Sequence, residues 1–226
     1  MNNFTNTANV LSLLFYREGF SFCVYDENGN PGKISGFNVS NIHNWEPEVI
    51  RELDVNFRLR RNFETVNAAF ISPFYNLVPD SYLSVSNDAL LNLSEAEFEN
   101  NALLNSSTQY GNTFVYGTSQ ALLNKLNELY PKINLSHSER IFLDSIQFSN
   151  QPEIHLNLYK HNLEVVITNE KGILFYNLFE IQTDEDILFY TLFALEQLGM
   201  DTNKTELKCY GQLLAETEIY QTLKKY

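Results

Sequence analysis

The chain has 226 residues and a formal net charge of −13, with 28 Asp and Glu against 15 Lys and Arg. This size fits one large domain or two small ones and allows a sizeable buried core. The acidic balance disfavours nucleic acid and anionic membrane surfaces as partners, because both are bound largely through Lys and Arg.

The cysteines, the histidines and the lengths of the apolar runs indicate which further classes of protein can be excluded. Cys23 and Cys209 lie in apolar runs, where free cysteine usually packs as a small hydrophobe, and they indicate no disulfide framework. The four histidines show no helical i, i+3 or i, i+4 pairing, so we expect no metal site. No apolar run is long enough for a signal peptide or a membrane-spanning helix. We therefore expect a cytoplasmic protein without a membrane span.

A strand-turn-strand pattern occurs twice, in residues 13–29 and 156–172. Aligned without a gap, the two copies keep apolar, aromatic, basic and glycine positions in step. The matched pairs are Leu13 with Leu156, Tyr16 with Tyr159, Arg17 with Lys160, Phe20 with Leu163, Phe22 with Val165, Val24 with Ile167 and Gly29 with Gly172. Any two hairpins share some features, but similar elements follow each copy. The pattern therefore predicts an internal duplication.

Three strands open the first half of the chain. Alternating apolar residues predict strands over 11–16 and 20–25, joined at Arg17-Glu18-Gly19, and a third strand over 33–40. Pro47 suits a first helical turn, and the apolar residues that follow it recur at helical spacing up to Phe57.

The remainder of the first half predicts a mixture of strands and helices. Residues 66–71 and 75–78 predict a hairpin, and the acidic, leucine-containing stretch 86–104 predicts a helical insertion. A short strand over 113–116 precedes a helix capped by Thr118 and ended by Pro131. Residues 138–148 are compatible with either helix or strand.

The second copy leads into a third strand over 173–181 and then a helix. Thr183 and the acidic residues after it predict the helix N-terminus, and Gly199 suits the position just beyond its C-terminus. Residues 187–198 are apolar on most sides, which predicts a buried helix. A strand over 206–213 and a helix over 216–226 close the chain.

Two three-stranded meanders, each followed by a helix and a strand, resemble the duplicated actin-like ATPase fold, an α/β fold of ribonuclease H-like halves. More specifically, the chain is similar to a family of uncharacterised bacterial proteins with this fold. The residues that carry the closer similarity are L-F-Y-R-E-G-F-S-F-C-V-Y-D near the start, Leu77-Val78-Pro79 with Tyr82 and Leu83, the acidic start of the buried helix, and C-Y-G-Q-L-L-A-E-T-E-I-Y-Q-T-L-K-K-Y at the end. The resemblance implies two halves, 1–150 and a shorter 151–226.

The resemblance also implies a nucleotide site that this chain does not complete. Active members hold Mg-nucleotide between the halves, with a phosphate loop in each first hairpin. Here the first turn, Tyr16-Arg17-Glu18-Gly19, has no Asp-x-Gly-Thr pattern. The second, Tyr159-Lys160-His161-Asn162, has neither Asp nor Gly, and Gly211 stands alone where a glycine pair is expected. We expect a pseudo-ATPase without a cofactor or catalytic residues.

The two turns form the candidate ligand site. If the halves face each other, Arg17, Lys160 and His161 form a positive spot in an acidic protein. Tyr16, Glu18 and Tyr159 flank these residues. The hypothesis is that this cleft binds an anion or an acidic segment of a partner, and the alternative is that these are ordinary exposed turn residues.

The preferred function is a non-catalytic scaffold or adaptor that binds an unknown protein partner, as actin-like components of pilus assembly and type II secretion do. A homodimer is compatible with this function. One alternative is a divergent nucleotide- or anion-binding enzyme, and another is a small-ligand sensor with Tyr16 and Tyr159 lining its pocket. A scaffold needs an exposed apolar patch, a sensor an apolar pocket, and an enzyme a positioned acid or base.

Overall fold

The computed structural model describes residues 8–72, 74–83 and 101–225, with side chains from residue 10 onward. The chain forms two compact units, residues 1–144 and 145–226.

Among its described residues, the first unit contains strands from two sheets and three α-helices. Its strands are β1 (Ala8–Tyr16), β2 (Gly19–Tyr25), β3 (Ser35–Asn38), β4 (Phe63–Phe70), β5 (Tyr75–Pro79), β6 (Asn101–Ser107), β7 (Asn112–Ser119) and β8 (Ile133–His137). Its helices are α1 (Trp45–Val55), α2 (Gln120–Leu129) and α3 (Ser138–Ser145). Of the ambiguous stretch 138–148, residues 138–145 are therefore helical, and residues 146–148 belong to neither a helix nor a strand.

The larger sheet of this unit has the order β3-β2-β1-β4-β8. Strand β2 is antiparallel to both of its neighbours, β3 and β1, whereas β1, β4 and β8 run parallel to one another. Leu11, Leu13 and Phe15 of β1 are buried, as the period of two along a strand requires. Helices α1 and α2 contact each other and bury one apolar stripe each. The parallel strands consequently end together, beside the amino ends of α1 and α2.

The predicted hairpin of residues 66–71 and 75–78 is wrong. Strand β4 lies between β1 and β8, whereas β5 belongs to a separate sheet of order β5-β7-β6. Ser72 redirects the chain between them: its Oγ donates to the Gly117 carbonyl at 2.6 Å and accepts from the Phe74 amide at 3.1 Å. The hydrogen bond to Gly117 ties this bend to β7, the strand with which β5 pairs.

The predicted helical insertion over 86–104 is wrong for its last four residues. Residues 101–104 belong to strand β6, which pairs with β7 so that Asn101 lies opposite Ser119. Residues 84–100 lie outside the described residues. The α2 N-cap is Ser119 and not Thr118, because the Ser119 Oγ accepts a hydrogen bond from the Leu122 amide at 3.0 Å.

The second unit contains one sheet of order β11-β10-β9-β12. Its elements are β9 (Glu153–Tyr159), β10 (Asn162–Asn169), β11 (Gly172–Glu180), α4 (Asp184–Gln197), β12 (Glu206–Gly211) and α5 (Glu218–Leu223). Alternate residues of β9 and β10, such as Leu156 and Val165, form a core with Ile187 and Leu195 of α4. This core accounts for only one apolar face of α4. The prediction of a helix buried on most sides is wrong, because Phe189 and Phe193 are exposed on another face.

The two units use the same arrangement of first strands. In both, the first two hairpin strands are antiparallel, and the strand after the helix joins the first strand in parallel. Tyr16 lies opposite Gly19 in one hairpin, and Tyr159 lies opposite Asn162 in the other. These are the pairs that the ungapped alignment equates, which supports a duplication, although a common origin stays a prediction.

Both predicted ends of α4 are confirmed. Thr183 and Asp186 form a capping box, in which the Asp186 carboxylate accepts from the Thr183 amide at 2.9 Å. Gly199 follows the helix with φ +62°, a left-handed conformation that favours glycine.

Candidate functional site

The first hairpin turn is shaped by its own sheet. Gly19 has φ +143°, and a Cβ at this position would lie 2.0 Å from the Phe37 carbonyl oxygen of β3. The Glu18 carbonyl accepts a hydrogen bond from the Val39 amide at 2.9 Å. The close approach of β2 and β3 therefore explains the glycine, without any need for a phosphate against the turn.

The second hairpin turn is held differently. Lys160 has φ +53°, a conformation that costs a non-glycine residue about 1 kcal/mol or more. Its amide donates to Gln212 Oε1 at 2.8 Å, and the His161 carbonyl accepts from the Ile181 amide at 2.7 Å. These bonds fix the backbone, while the Lys160 ammonium lies 6.0 Å from the Tyr159 ring centroid.

The predicted site residues divide equally between the units. Tyr16, Arg17 and Glu18 belong to the first unit, whereas Tyr159, Lys160 and His161 belong to the second. Within each unit the three residues are consecutive at one turn. A joint site for an anion or an acidic segment stays a prediction.

A cavity of about 480 Å³ lies beside the first turn, within the first unit. It opens at the carboxyl ends of β1 and β4 and at the amino ends of α1 and α2. Phe15, Phe70, Phe74 and Trp45 give it aromatic walls, and Tyr16, Arg17, Glu46, Ser72, Asn101, Thr118 and Ser119 add polar groups. The edge where parallel strands end is a common place for ligands in α/β proteins, and the volume suits a small molecule.

The polar groups of this cavity differ in how far they are satisfied. The Ser119 Oγ donates a short hydrogen bond to Glu46 Oε2 while capping α2. The Ser72 Oγ is engaged by backbone on both sides. In contrast, no hydrogen bond or ion pair with any described residue engages the Arg17 guanidinium. Arg17 is exposed at the rim and has its donors available.

Tyr16 lines the cavity from the end of β1. Burial, together with the charge of Glu18, raises the pKa of Tyr16, so the phenol stays protonated at neutral pH. Its hydroxyl donates to Asn38 Oδ1 at 3.3 Å. Of the two tyrosines in the sensor hypothesis, Tyr16 lines this cavity.

Two further polar clusters are buried. In the first unit, the rings of Tyr75, Phe114 and Tyr116 lie 4.7 to 5.0 Å from the His137 ring, and His137 Nδ1 lies 2.6 Å from Glu139 Oε2. Because His137 is fully buried, it contacts no solvent.

The second buried cluster lies on the sheet of the second unit. Glu153 accepts a hydrogen bond from the Lys208 ammonium at 2.7 Å, and its other oxygen lies 3.1 Å from His155 Nε2. Burial alone would raise the pKa of Glu153, but the hydrogen bonds from Lys208 and Ser149 and the charges of Lys208 and His155 together lower it. Burial also lowers the pKa of His155, against the opposing charge of Glu153. The buried carboxylate of Glu153 is thus paired with the ammonium group of Lys208.

Sequence reasoning located Tyr16 and Arg17 but missed the rest of the cavity. Trp45 and Glu46 open α1, and Ser72 and Thr118 come from segments far apart in the chain. The assumed 66–78 hairpin hid the position of Ser72. Pro47 gave the sequence signal for the start of α1, and Trp45 and Glu46 lie directly before it.

No group of three His, Cys, Asp or Glu side chains that could hold a metal ion occurs in the described residues. In the same part of the chain, no helix is long and apolar enough to cross a membrane.

Comparisons with known proteins place the chain in a family. The model of a family described as "Protein of unknown function (DUF3822)" matches residues 1–226, whereas no curated protein matches the sequence. A crystal structure from Bacteroides thetaiotaomicron, described as a protein with actin-like ATPase fold and unknown function, is similar with a TM-score of 0.80 and 20% identity. The alignment covers 100% of this chain and 91% of that one.

Weaker similarities extend to other proteins. The cytoplasmic domain of EpsL, an inner membrane component of the type II secretion system of Vibrio cholerae, has a TM-score of 0.45 at 12% identity, covering 96% of this chain and 93% of that one. An Aquifex aeolicus Ppx/GppA phosphatase has a TM-score of 0.43 at 10% identity, covering 91% and 68%. The α/β architecture, the strand orders and the full-length match lead to one conclusion: this protein belongs to the DUF3822 family and has the actin-like ATPase fold.

Proposed function

We propose that this protein is a non-catalytic actin-like protein that binds a protein partner through its second unit. The observation that carries the proposal is an aromatic surface on α4. Phe189 is 61% exposed and Phe193 38% exposed. Their ring centroids lie 6.1 Å apart, and Phe189 also contacts Tyr190, which stacks on Phe179 of β11 at 4.1 Å. The four rings form one connected cluster, in which Tyr190 and Phe179 pack against the core and Phe189 and Phe193 provide the exposed surface.

This surface lies where an amphipathic helix ordinarily carries polar residues. The buried face of α4 is already provided by Ile187, Thr191, Ala194 and Leu195, so the two phenylalanines are not needed for the core of the unit. Exposed aromatic residues gathered on one face are typical of protein-binding surfaces.

The charges around the surface indicate the chemistry of the partner. Glu185 and Glu196 are exposed on the same face of α4, and the helix contains no Lys or Arg. The complement is a protein segment that carries apolar side chains together with Lys or Arg. The proposed role is that of an adaptor that holds such a segment.

The two hairpin turns, Tyr16-Arg17-Glu18-Gly19 and Tyr159-Lys160-His161-Asn162, support a role without nucleotide hydrolysis. The Gly19 conformation is explained by contact with β3, and the second turn places a lysine at φ +53° where superfamily members carry a phosphate loop. Neither turn contains Asp. The divergent enzyme that the resemblance also allows would need a different set of groups to hold Mg-nucleotide.

A binding comparison tests the aromatic surface. Wild-type protein and the double variant Phe189→Gln/Phe193→Gln would be tagged in their native cells, and the captured proteins quantified. Phe57→Gln is the control, because Phe57 is 75% exposed in the first unit. We expect one partner to be retained by wild type and the control and lost by the double variant, with the affinity then measured on purified partner. Equal capture by all three proteins would overturn the proposal.

A thermal-unfolding scan tests the absence of nucleotide chemistry. A ligand present at about 100 times its Kd adds about 2.7 kcal/mol of stability, which raises Tm by roughly 5 to 10 °C at this chain length. We expect no increase with millimolar Mg-ATP, Mg-ADP or pyrophosphate. An increase with either nucleotide would favour the enzyme alternative, and an increase with pyrophosphate alone would favour the anion site at Arg17 and Lys160.

A further inference from the structure

The cavity of the first unit has no part in the proposed binding of a protein partner through α4. Its volume of about 480 Å³ and its aromatic walls suit the apolar body of a small molecule. The surface on α4 belongs to the second unit, so the two proposals rest on separate observations.

Two opposite charges line this cavity without neutralising each other. Arg17 stands at the end of β1, and Glu46 stands in the first turn of α1. No ion pair between them occurs among the contacts of the described residues. This differs from Arg60, Arg140 and Lys208, each of which is paired with a carboxylate. The cavity is therefore lined by a guanidinium and a carboxylate that form no ion pair with each other among the described residues.

Each charge still has hydrogen-bonding capacity. The guanidinium of Arg17 has no partner among the described residues and can bind a carboxylate with two parallel hydrogen bonds. Glu46 uses Oε2 to accept from Ser119, and its Oε1 accepts nothing from the residues that the structure describes. That oxygen can accept from an ammonium group.

The charge pattern selects among ligand classes. A ligand with only a carboxylate would be attracted by Arg17 but repelled by Glu46. A ligand with only an ammonium group would be attracted by Glu46 but repelled by Arg17. A ligand with both groups satisfies both residues, and an apolar substituent fills the space between the aromatic walls. We propose that this cavity binds a zwitterionic α-amino acid with an aromatic or branched apolar side chain, its carboxylate on Arg17 and its ammonium on Glu46.

The single tryptophan gives a direct readout. Trp45 lines the cavity and is the only Trp in the chain, so its fluorescence, excited where phenylalanine does not absorb, reports occupancy. The full chain would be titrated with L-phenylalanine and L-leucine, and calorimetry would supply an independent Kd. 3-Phenylpropionate lacks the ammonium, and phenethylamine lacks the carboxylate.

We expect at least one of the two amino acids to change the Trp45 emission, and each analogue to bind at least tenfold more weakly. Arg17→Gln and Glu46→Gln should each weaken binding at least tenfold, and Arg17→Lys less than Arg17→Gln, because the charge remains. Arg61→Gln and Glu64→Gln are matched controls at exposed positions outside the cavity and should leave the Kd unchanged within twofold.

Three results would overturn the proposal. The first is that neither amino acid changes the Trp45 fluorescence or gives heat at millimolar concentration. The second is that 3-phenylpropionate binds as tightly as L-phenylalanine. The third is that the control variants weaken binding as much as the cavity variants do. A thermal scan of each variant shows whether the fold is intact, and Arg17→Lys keeps the test informative if Glu46→Gln weakens the α2 cap.

Discussion

At the scale of single residues, two buried tyrosines of the first unit differ in whether the hydroxyl has a hydrogen-bond partner. The Tyr130 hydroxyl donates to the Leu59 carbonyl at 2.8 Å, and burial raises the pKa of Tyr130 to about 12. The Tyr116 hydroxyl is buried among Phe70 and His137 and has no partner among the described residues. Burial also raises the pKa of Tyr116, so both phenols are neutral.

The two hydroxyls therefore predict opposite effects of the same substitution. Tyr130→Phe should lower the free energy of unfolding by about 1 kcal/mol, because the Leu59 carbonyl loses its donor. Tyr116→Phe should raise it by about 1 kcal/mol, because a buried hydroxyl without a partner carries a desolvation penalty. Urea unfolding of both variants checks this, and a comparable loss in Tyr116→Phe would show that its hydroxyl is satisfied in solution.

At the scale of elements, the first hairpin shows how a glycine is required by neighbouring strands. Gly19 and Gly29 both have positive φ, but only at Gly19 would a Cβ meet backbone, at 2.0 Å from the Phe37 oxygen. A Cβ at Gly29 would have nothing within 4 Å. A side chain at Gly29 would therefore cost only the backbone strain of a positive φ. A side chain at Gly19 would cost this strain and would also push against the backbone of β3.

Gly19→Ala should therefore destabilise the protein by about 3 kcal/mol or more, and Gly29→Ala by about 1 kcal/mol. The measurement is the urea midpoint of each variant, with hydrogen exchange of the β2 and β3 amides to locate the damage. Equal losses in the two variants would show that contact with β3 plays no part in the need for glycine at residue 19.

At the scale of the whole molecule, the pH dependence of stability follows from the buried cluster of the second unit. The pKa of His155 is lowered from 6.5, with burial as the main cause, so the unfolded chain binds this proton more readily than the folded one. Stability is then lost as pH falls below about 6.5. The pKa of Glu153 is lowered from 4.5, because its hydrogen bonds and charged neighbours, Lys208 first among them, together outweigh burial, and Glu153 therefore adds a loss of stability at more acidic pH.

We expect the free energy of unfolding to decrease from pH 7.5 to pH 5, and His155→Gln to make this decrease shallower. The exposed His43 provides the control, since His43→Gln should follow the wild-type curve. Denaturant unfolding at several pH values gives the comparison. If His155→Gln keeps the full wild-type slope, groups other than His155 account for the acid sensitivity.

The sequence by itself determined the features that depend on neighbouring residues. Alternation located the strands before and after each hairpin turn, and the Thr183 cap with Gly199 located the ends of α4. The repeat also placed Tyr16 and Tyr159 at corresponding turns. These features are local because periodicity, capping and turn chemistry act within a few residues.

Only the tertiary structure decided which segments meet. Strand β5 left the expected hairpin because Ser72 bonds to Gly117 on β7, and that choice of partner created one wall of the cavity. Arg17 could be identified as a candidate from its turn, but its position beside Glu46, Trp45 and Thr118 depends on where β1, β4, α1 and α2 end. Such a site is formed by hydrogen bonds and packing between segments distant in the chain, and local residue patterns carry no record of those pairings.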